Sequence, residues 1–155
     1  MHNHKANKLT LTLIRGIPGS GKSTLAQHYA EQIGARHLET DMYFVTERGE
    51  YLFRPTKLTE AHYWCKQQTL KALQKNQSVV VSNTFIEEWE LHDYLAMAGR
   101  HKIPVAIIEC TRQYESIHDV PLATIEKMRR NWSELSIEKL MRQYGIVELT
   151  LRPDL

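Results

Sequence analysis

The run Gly16-Ile17-Pro18-Gly19-Ser20-Gly21-Lys22-Ser23 fits the pattern G-x-x-x-x-G-K-[ST] without a mismatch. Its glycines let the backbone bend tightly with N–H groups turned inward, and no side chain there blocks a phosphate. Lys22 can reach the β- and γ-phosphates of a nucleoside triphosphate, and the Ser23 hydroxyl is placed to bind Mg²⁺. A helix starting near Lys22 adds the positive end of its dipole. The nucleotide-binding set read from this run is Gly16, Pro18, Gly19, Ser20, Gly21, Lys22, Ser23 and Thr24. The run defines the donor side of a reaction and leaves the phosphoryl acceptor open.

Asp41 lies 19 residues after Lys22, at the carboxyl end of an expected second strand. Ligands of open α/β sheets gather at such strand ends. An Asp there can take the proton of an attacking hydroxyl or help hold Mg²⁺. Thr40 and Asp41 are also good capping residues, so a helix or turn cap is the competing reading. Many phosphate-loop proteins end a further strand with an Asp that steadies Mg²⁺ through water. Here the third strand ends Val81-Ser82-Asn83-Thr84, with no carboxylate. Glu87 and Glu88 follow, where acids suit the start of a helix.

These residues need a scaffold of alternating strands and helices. Residues 9–15 read as a covered strand, 22–33 as a helix stopped by Gly34, and 36–40 as a short second strand. Residues 42–57 are irregular, with a turn at Arg48-Gly49-Glu50. A helix over 58–75, capped by Thr56 or Thr59, carries Leu58, Ala61, Cys65, Thr69, Ala72 and Leu73 on its apolar face. Strands follow at 78–82, 102–110 and 146–151, and helices at 87–100, 121–135 and 136–144. The alternation implies a parallel sheet with helices on both faces. The 155 residues read as one domain, 1–155, with a frayed start over 1–8.

Composition narrows the classes. A net charge of +2 is too small to argue for nucleic acid by itself. The two cysteines, Cys65 and Cys110, have no metal or disulfide spacing and read as reduced thiols of a cytoplasmic protein. No apolar run approaches the ~20 residues of a membrane span.

With these residues placed, the chain resembles the small P-loop kinases of the polynucleotide kinase-like group, which includes AAA-type ATP-binding proteins of phages and bacteria. The resemblance runs over about residues 11–132 and rests on the ordered set GIPGSGKST, ETDMYF, EYLFRPTKLTEAHYWC, VVVSNTFIEEWELHDYLAMA and HDVPLATIEKMRRNW. It implies a P-loop fold with a five-stranded parallel sheet of order 2-3-1-4-5, a helical lid, and ATP as donor. It also implies that Asp41 is the general base. Two departures stand out. Ser82-Asn83-Thr84-Phe85 replaces a motif that in many relatives carries an Asp and a second Asn. The segment Tyr114-Glu115-Ser116-Ile117-His118-Asp119 holds no arginine where relatives have lid arginines.

An arginine that clamps the transferring phosphoryl would then come from Arg112, Arg129 or Arg130, or the enzyme is a weak one. In related kinases an arginine near Arg112 stacks on the adenine, as a guanidinium can. Arg129 and Arg130 lie on a helix whose buried stripe is expected at Ile125, Met128 and Trp132. A solvated basic face is the bland alternative for each. On the acceptor side, Tyr43, Phe44, Tyr51 and Phe53 alternate with Arg48, Arg54 and Lys57. Aromatics with cations can stack bases, although packing is the commoner fate of such rings. Trp64, Trp89 and Trp132 are expected to pack, and His62, His92 and His118 to have structural or surface roles. The expected activity is transfer of the ATP γ-phosphoryl to a hydroxyl, with Lys22, Asp41, Arg129 and Arg130 as catalytic residues. By resemblance the acceptor is the 5′-hydroxyl of a single-stranded nucleic-acid end. A small-molecule or nucleoside acceptor and a non-catalytic ATP-binding module are the rivals, and protein partners are unspecified.

Overall fold

Alternation along the strands decides which side each helix covers. In a computed structural model describing residues 8–112 and 120–154, the order is β1 (Leu11–Gly16), α1 (Lys22–Ile33), β2 (Arg36–Leu38), α2 (Leu58–Gln74), β3 (Val79–Asn83), α3 (Glu88–His101), β4 (Val105–Cys110), α4 (Leu122–Arg130), α5 (Ile137–Tyr144) and β5 (Leu149–Pro153). Short 3₁₀ helices cover Thr40–Phe44 and Pro55–Lys57. The strands form one parallel sheet of order β2-β3-β1-β4-β5. Leu11, Leu13, Val79, Val81, Val105 and Ile107 face a core shared with α2, α3 and α5. The alternate residues Ile14, Val80, Ile108 and Cys110 face Ala26 and Ala30 of α1. Helices therefore cover both faces, and strands buried on two sides read as continuous apolar runs.

β1 lies between β3 and β4, in the middle of the sheet. The loop after it therefore opens where β3 and β4 also end. Gly34 stops α1 in the left-handed region at φ 68°, a conformation that suits glycine. Ser136 caps α5 by accepting from the Lys139 N–H. The turn at Arg48-Gly49-Glu50 forms, since Val45 bridges Tyr51 antiparallel and the Thr46 N–H donates to the Glu50 carbonyl at 2.8 Å. Ile125 is buried against Ile17 and Ile86, with Met128 and Trp132 packed on them.

Several boundaries differ from expectation. β2 stops at Leu38, so Asp41 lies in a 3₁₀ helix just beyond the strand rather than on its last residue. Neither Thr56 nor Thr59 caps α2; Lys57 holds the cap position without a side-chain bond. Leu58 is 40% exposed and leaves the apolar face, because the short Pro55–Lys57 turn carries it outward. The helix expected over 121–135 ends at Arg130, since Trp132 and Ser133 turn in toward Arg15. Trp89 is 71% exposed, contrary to the packing role expected for it. Residues 1–7 of the frayed start lie outside the described residues, while Lys8 pairs with Glu148 at 3.1 Å. The arginine-free segment at 114–119, with His118, also lies outside them.

Candidate functional site

The loop from Gly16 to Gly21 is shaped by its glycines. Gly19 and Gly21 take φ of 82° and 84°, where a side chain would be strained. A Cβ on Gly16 would collide with the Ser20 hydroxyl and come within 2.8 Å of the Cys110 carbonyl. The Gly16 N–H donates to the Thr84 carbonyl at 3.2 Å, which ties the loop to the end of β3. No side chain caps the start of α1, so its first N–H groups stay available to an anion. Ser20 is buried, and its hydroxyl has no hydrogen-bond partner among the described residues. Pro18 and Gly19 are half-buried, and Ser23 and Thr24 are exposed.

Lys22 is the first residue of α1. Burial pushes its ammonium down from the usual value, and the charges of Glu39, Cys110 and Asp41 oppose that push. Glu39 is the side chain that sequence reasoning overlooked. It sits just past the end of β2, beside Ser82 of β3, because Leu38 pairs with Val81 in the register. Ser82 Oγ donates to Glu39 Oε1 at 2.7 Å, and His37 Nε2 lies 3.3 Å from the same oxygen. The Ser23 hydroxyl is also close enough to lower the pKa of this carboxylate. Burial alone would raise the Glu39 pKa, but His37, Ser23 and Ser82 outweigh it and hold the group at about 2. No local spacing signalled Glu39, because its partner Ser82 is brought to it by the pairing of β2 with β3.

Asp41 is exposed, and its Oδ1 accepts the Tyr51 hydroxyl at 3.3 Å. The preceding Thr40 N–H donates to Asn83 Oδ1 at 2.9 Å. Asn83 thus fixes the chain that presents Asp41. The capping reading of Thr40 and Asp41 is not supported, since Glu39 occupies the cap position of the 3₁₀ helix without a side-chain bond.

Arg15 was also overlooked. It is fully buried on β1 and pairs with Glu109 at 2.8 Å. It donates to the carbonyls of Phe85 at 2.9 Å, Ile86 at 2.8 Å and Ser133 at 3.0 Å, and its guanidinium lies 3.7 Å from the Trp132 ring centre. This one side chain joins the loops after β3 and α4 to the strand that leads into the phosphate loop. A lone arginine inside a strand pattern carried no sequence signal of such a role. Arg112, Arg129 and Arg130 are all exposed.

The 42–57 segment divides its rings between packing and exposure. Phe44 is buried, and Tyr43 packs against Phe44 and Trp64. Tyr51 and Phe53 are 53% and 46% exposed, with ring planes 10° apart. A cavity of about 1010 Å³ lies between α2 and α3, bordered by His62, Tyr63, Asn83, Thr84, Trp89 and Asp93. No phosphate-loop residue borders it, and it meets the site at Asn83. Among the described residues no group of three or more His, Cys, Asp or Glu side chains is arranged to hold a metal ion, and no helix is long and apolar enough to cross a membrane.

The geometry agrees with the comparisons. Residues 11–135 match the family model described as an AAA domain. Human NEDD4-binding protein 2 is 35% identical over 136 residues, which is 86% of this chain but only 7% of that protein's length. The cytidylate kinase of Aeropyrum pernix is 31% identical over 143 residues, 86% of this chain and 80% of the kinase. Among solved structures, Chaetomium thermophilum Kti12 in complex with ADP-AlF3 shares the fold with a TM-score of 0.58 at 13% identity, over 91% of this chain and 87% of that one.

Proposed function

The chain belongs to this AAA domain family with its P-loop kinase-like fold, and from that membership we propose that it is an ATP- and Mg²⁺-dependent kinase acting on a hydroxyl. The observation that carries the proposal is a pair of carboxylates in unlike settings, both close enough to Lys22 to act on its charge. Glu39 is held ionised by the Ser82 hydroxyl that donates to it and by His37 beside it. Asp41 is exposed at the mouth of the site. Two carboxylates set in different environments can serve two different roles.

Lys22 and the loop N–H groups bind the phosphates, and the uncapped start of α1 adds its dipole. The Ser20 hydroxyl, buried without a partner among the described residues, gives the loop one more donor. Mg²⁺ takes oxygen ligands and keeps part of its water, and the Ser23 hydroxyl with the Glu39 carboxylate near it would be a donor set of that kind. The ion supplies neutralisation of charge on the phosphates. The acceptor oxygen attacks the γ-phosphorus, a new O–P bond forms, and the bond to the β–γ bridging oxygen breaks. ADP leaves with that electron pair, and the acceptor proton passes to the Asp41 carboxylate. An exposed arginine from Arg112, Arg129 or Arg130 offsets the charge spread over the γ-oxygens.

The acceptor favoured here is the 5′-hydroxyl of a polynucleotide. The exposed Tyr51–Phe53 pair supports it, since Tyr51 touches Asp41 and Arg54 and Lys57 lie on the same segment. Rings with cations beside them suit a base and its phosphate backbone. The cavity between α2 and α3 favours a second reading, a nucleoside-sized acceptor, because its volume matches pockets for small ligands. Labelled ATP offered with a 5′-hydroxyl oligonucleotide and, separately, with nucleosides and nucleoside monophosphates distinguishes the two. The first reading expects label on the oligonucleotide, with binding that weakens steeply as salt rises. Label on the small acceptors alone transfers the proposal to the second reading.

A further inference from the structure

The third strand ends without a carboxylate, yet the structure puts one in the same place from the neighbouring strand. Parallel pairing of Leu38 with Val81 brings Glu39 beside Ser82. Ser82 Oγ donates to Glu39 at 2.7 Å, and His37 Nε2 lies within 2.8 Å of Ser82 Oγ and 3.3 Å of Glu39 Oε1. Ser23, the phosphate-loop hydroxyl that would ligate Mg²⁺, is near enough to influence this carboxylate. Glu39 keeps only 18% of its side chain exposed.

The charge of Glu39 also acts on Lys22 of the phosphate loop, which tying β2 to β3 does not require. Burying it beside phosphates also adds like charge to the site, which disfavours nucleotide unless a cation lies between them. Mg²⁺ is held by one or two carboxylates together with phosphates and retained water. We infer that Glu39 is the carboxylate of the metal's hydration shell in this chain, carried just past β2, with Ser82 and His37 as the side chains that aim it. The Ser82 hydroxyl then supports the carboxylate that β3 itself lacks. The inference rests on the nucleotide reading above and adds a ligand and two supports to it.

The test reads metal binding rather than turnover. Mn²⁺ binding is followed by electron paramagnetic resonance with a non-hydrolysable ATP analogue. Three proteins are compared: the native chain, Glu39→Gln, and Glu39→Gln combined with Ser82→Asp. Glu39→Gln is expected to lose about 10- to 100-fold in Mn²⁺ affinity, as loss of a supporting group at a metal site does. Its affinity for the analogue without metal should hold or improve, because a negative charge has gone. Ser82→Asp in that background should restore Mn²⁺ affinity by returning the carboxylate to β3. Native protein carrying ¹³C-labelled glutamate carboxyl groups should show electron–nuclear coupling between Mn²⁺ and ¹³C, a readout that needs no variant. Unchanged Mn²⁺ affinity in a folded Glu39→Gln, or no ¹³C coupling in the native chain, overturns the inference alone. Failure of the native chain to bind the analogue at all overturns the nucleotide reading and the inference with it.

Discussion

Arg15 is buried on the central strand and yet donates four hydrogen bonds, to one carboxylate and three carbonyls, while its plane lies over a ring face. Burial pushes its pKa down and Glu109 pushes it back, but a guanidinium stays charged throughout. Replacing Arg15 by Met would leave Glu109 and three carbonyls without their partner. A loss of about 3–5 kcal/mol is expected, the range found when one member of a buried pair is removed, and urea unfolding measures it. Glu39 gives a pH prediction whose sign is fixed by its depressed pKa. The fold favours the ionised form, so the unfolded chain takes up the proton first as pH falls. The stabilisation is complete above pH 4.5, the ordinary value, and is lost as pH falls toward about 2. Glu39→Gln should therefore flatten the dependence of stability on pH in that window, as denaturant unfolding at stepped pH would show. A profile as steep as that of the native chain would mean that other carboxylates carry the effect.

Among the elements, α3 and α5 meet at a glycine. A Cβ on Gly99 would collide with the Tyr144 carbonyl at the end of α5. Gly99→Ala should cost about 1–3 kcal/mol by overpacking, seen as a lowered melting temperature with nucleotide affinity kept. The 42–57 segment makes the opposite prediction. Tyr51 and Phe53 are exposed, so Tyr51→Ala with Phe53→Ala should leave the melting temperature within a few degrees. If the pair stacks on the acceptor, the KM for the acceptor should rise about 5-fold or more while the KM for ATP holds, since stacking is worth about 1–3 kcal/mol per base. Equal effects on both constants would instead assign the pair to the general shape of the site. The sequence could not divide these rings, because Phe44 and Phe53 have the same chemistry and differ only in where the turn at Gly49 sends them. Trp89 illustrates the same limit: its position on α3 points away from the core stripe of Leu91, Tyr94, Leu95 and Ala98.

Over the whole molecule, the alternating pattern made the sheet and its helical layers legible, because strands covered on both faces must be apolar throughout and α1 has one distinct stop signal in Gly34. The strand order came from the resemblance, and the pairing bears it out. The phosphate loop was legible because its geometry needs glycine at Gly19 and Gly21. Glu39 and Arg15 were not read from the sequence, since their roles arise from pairing across strands that no local spacing encodes. The missing carboxylate of β3 looked like a defect in one dimension, and β2 fills that place in three. The central claim is that Asp41 takes the acceptor proton during phosphoryl transfer. Single-turnover transfer from γ-labelled ATP to the accepted hydroxyl substrate, in the native chain and in Asp41→Asn, tests it directly. The variant is expected to transfer more slowly by about 10²- to 10⁴-fold, with ATP affinity within about 2-fold of native, an unchanged interaction on the affinity scale. Transfer at the native rate in Asp41→Asn, or ATP bound with no label on any hydroxyl, would contradict it.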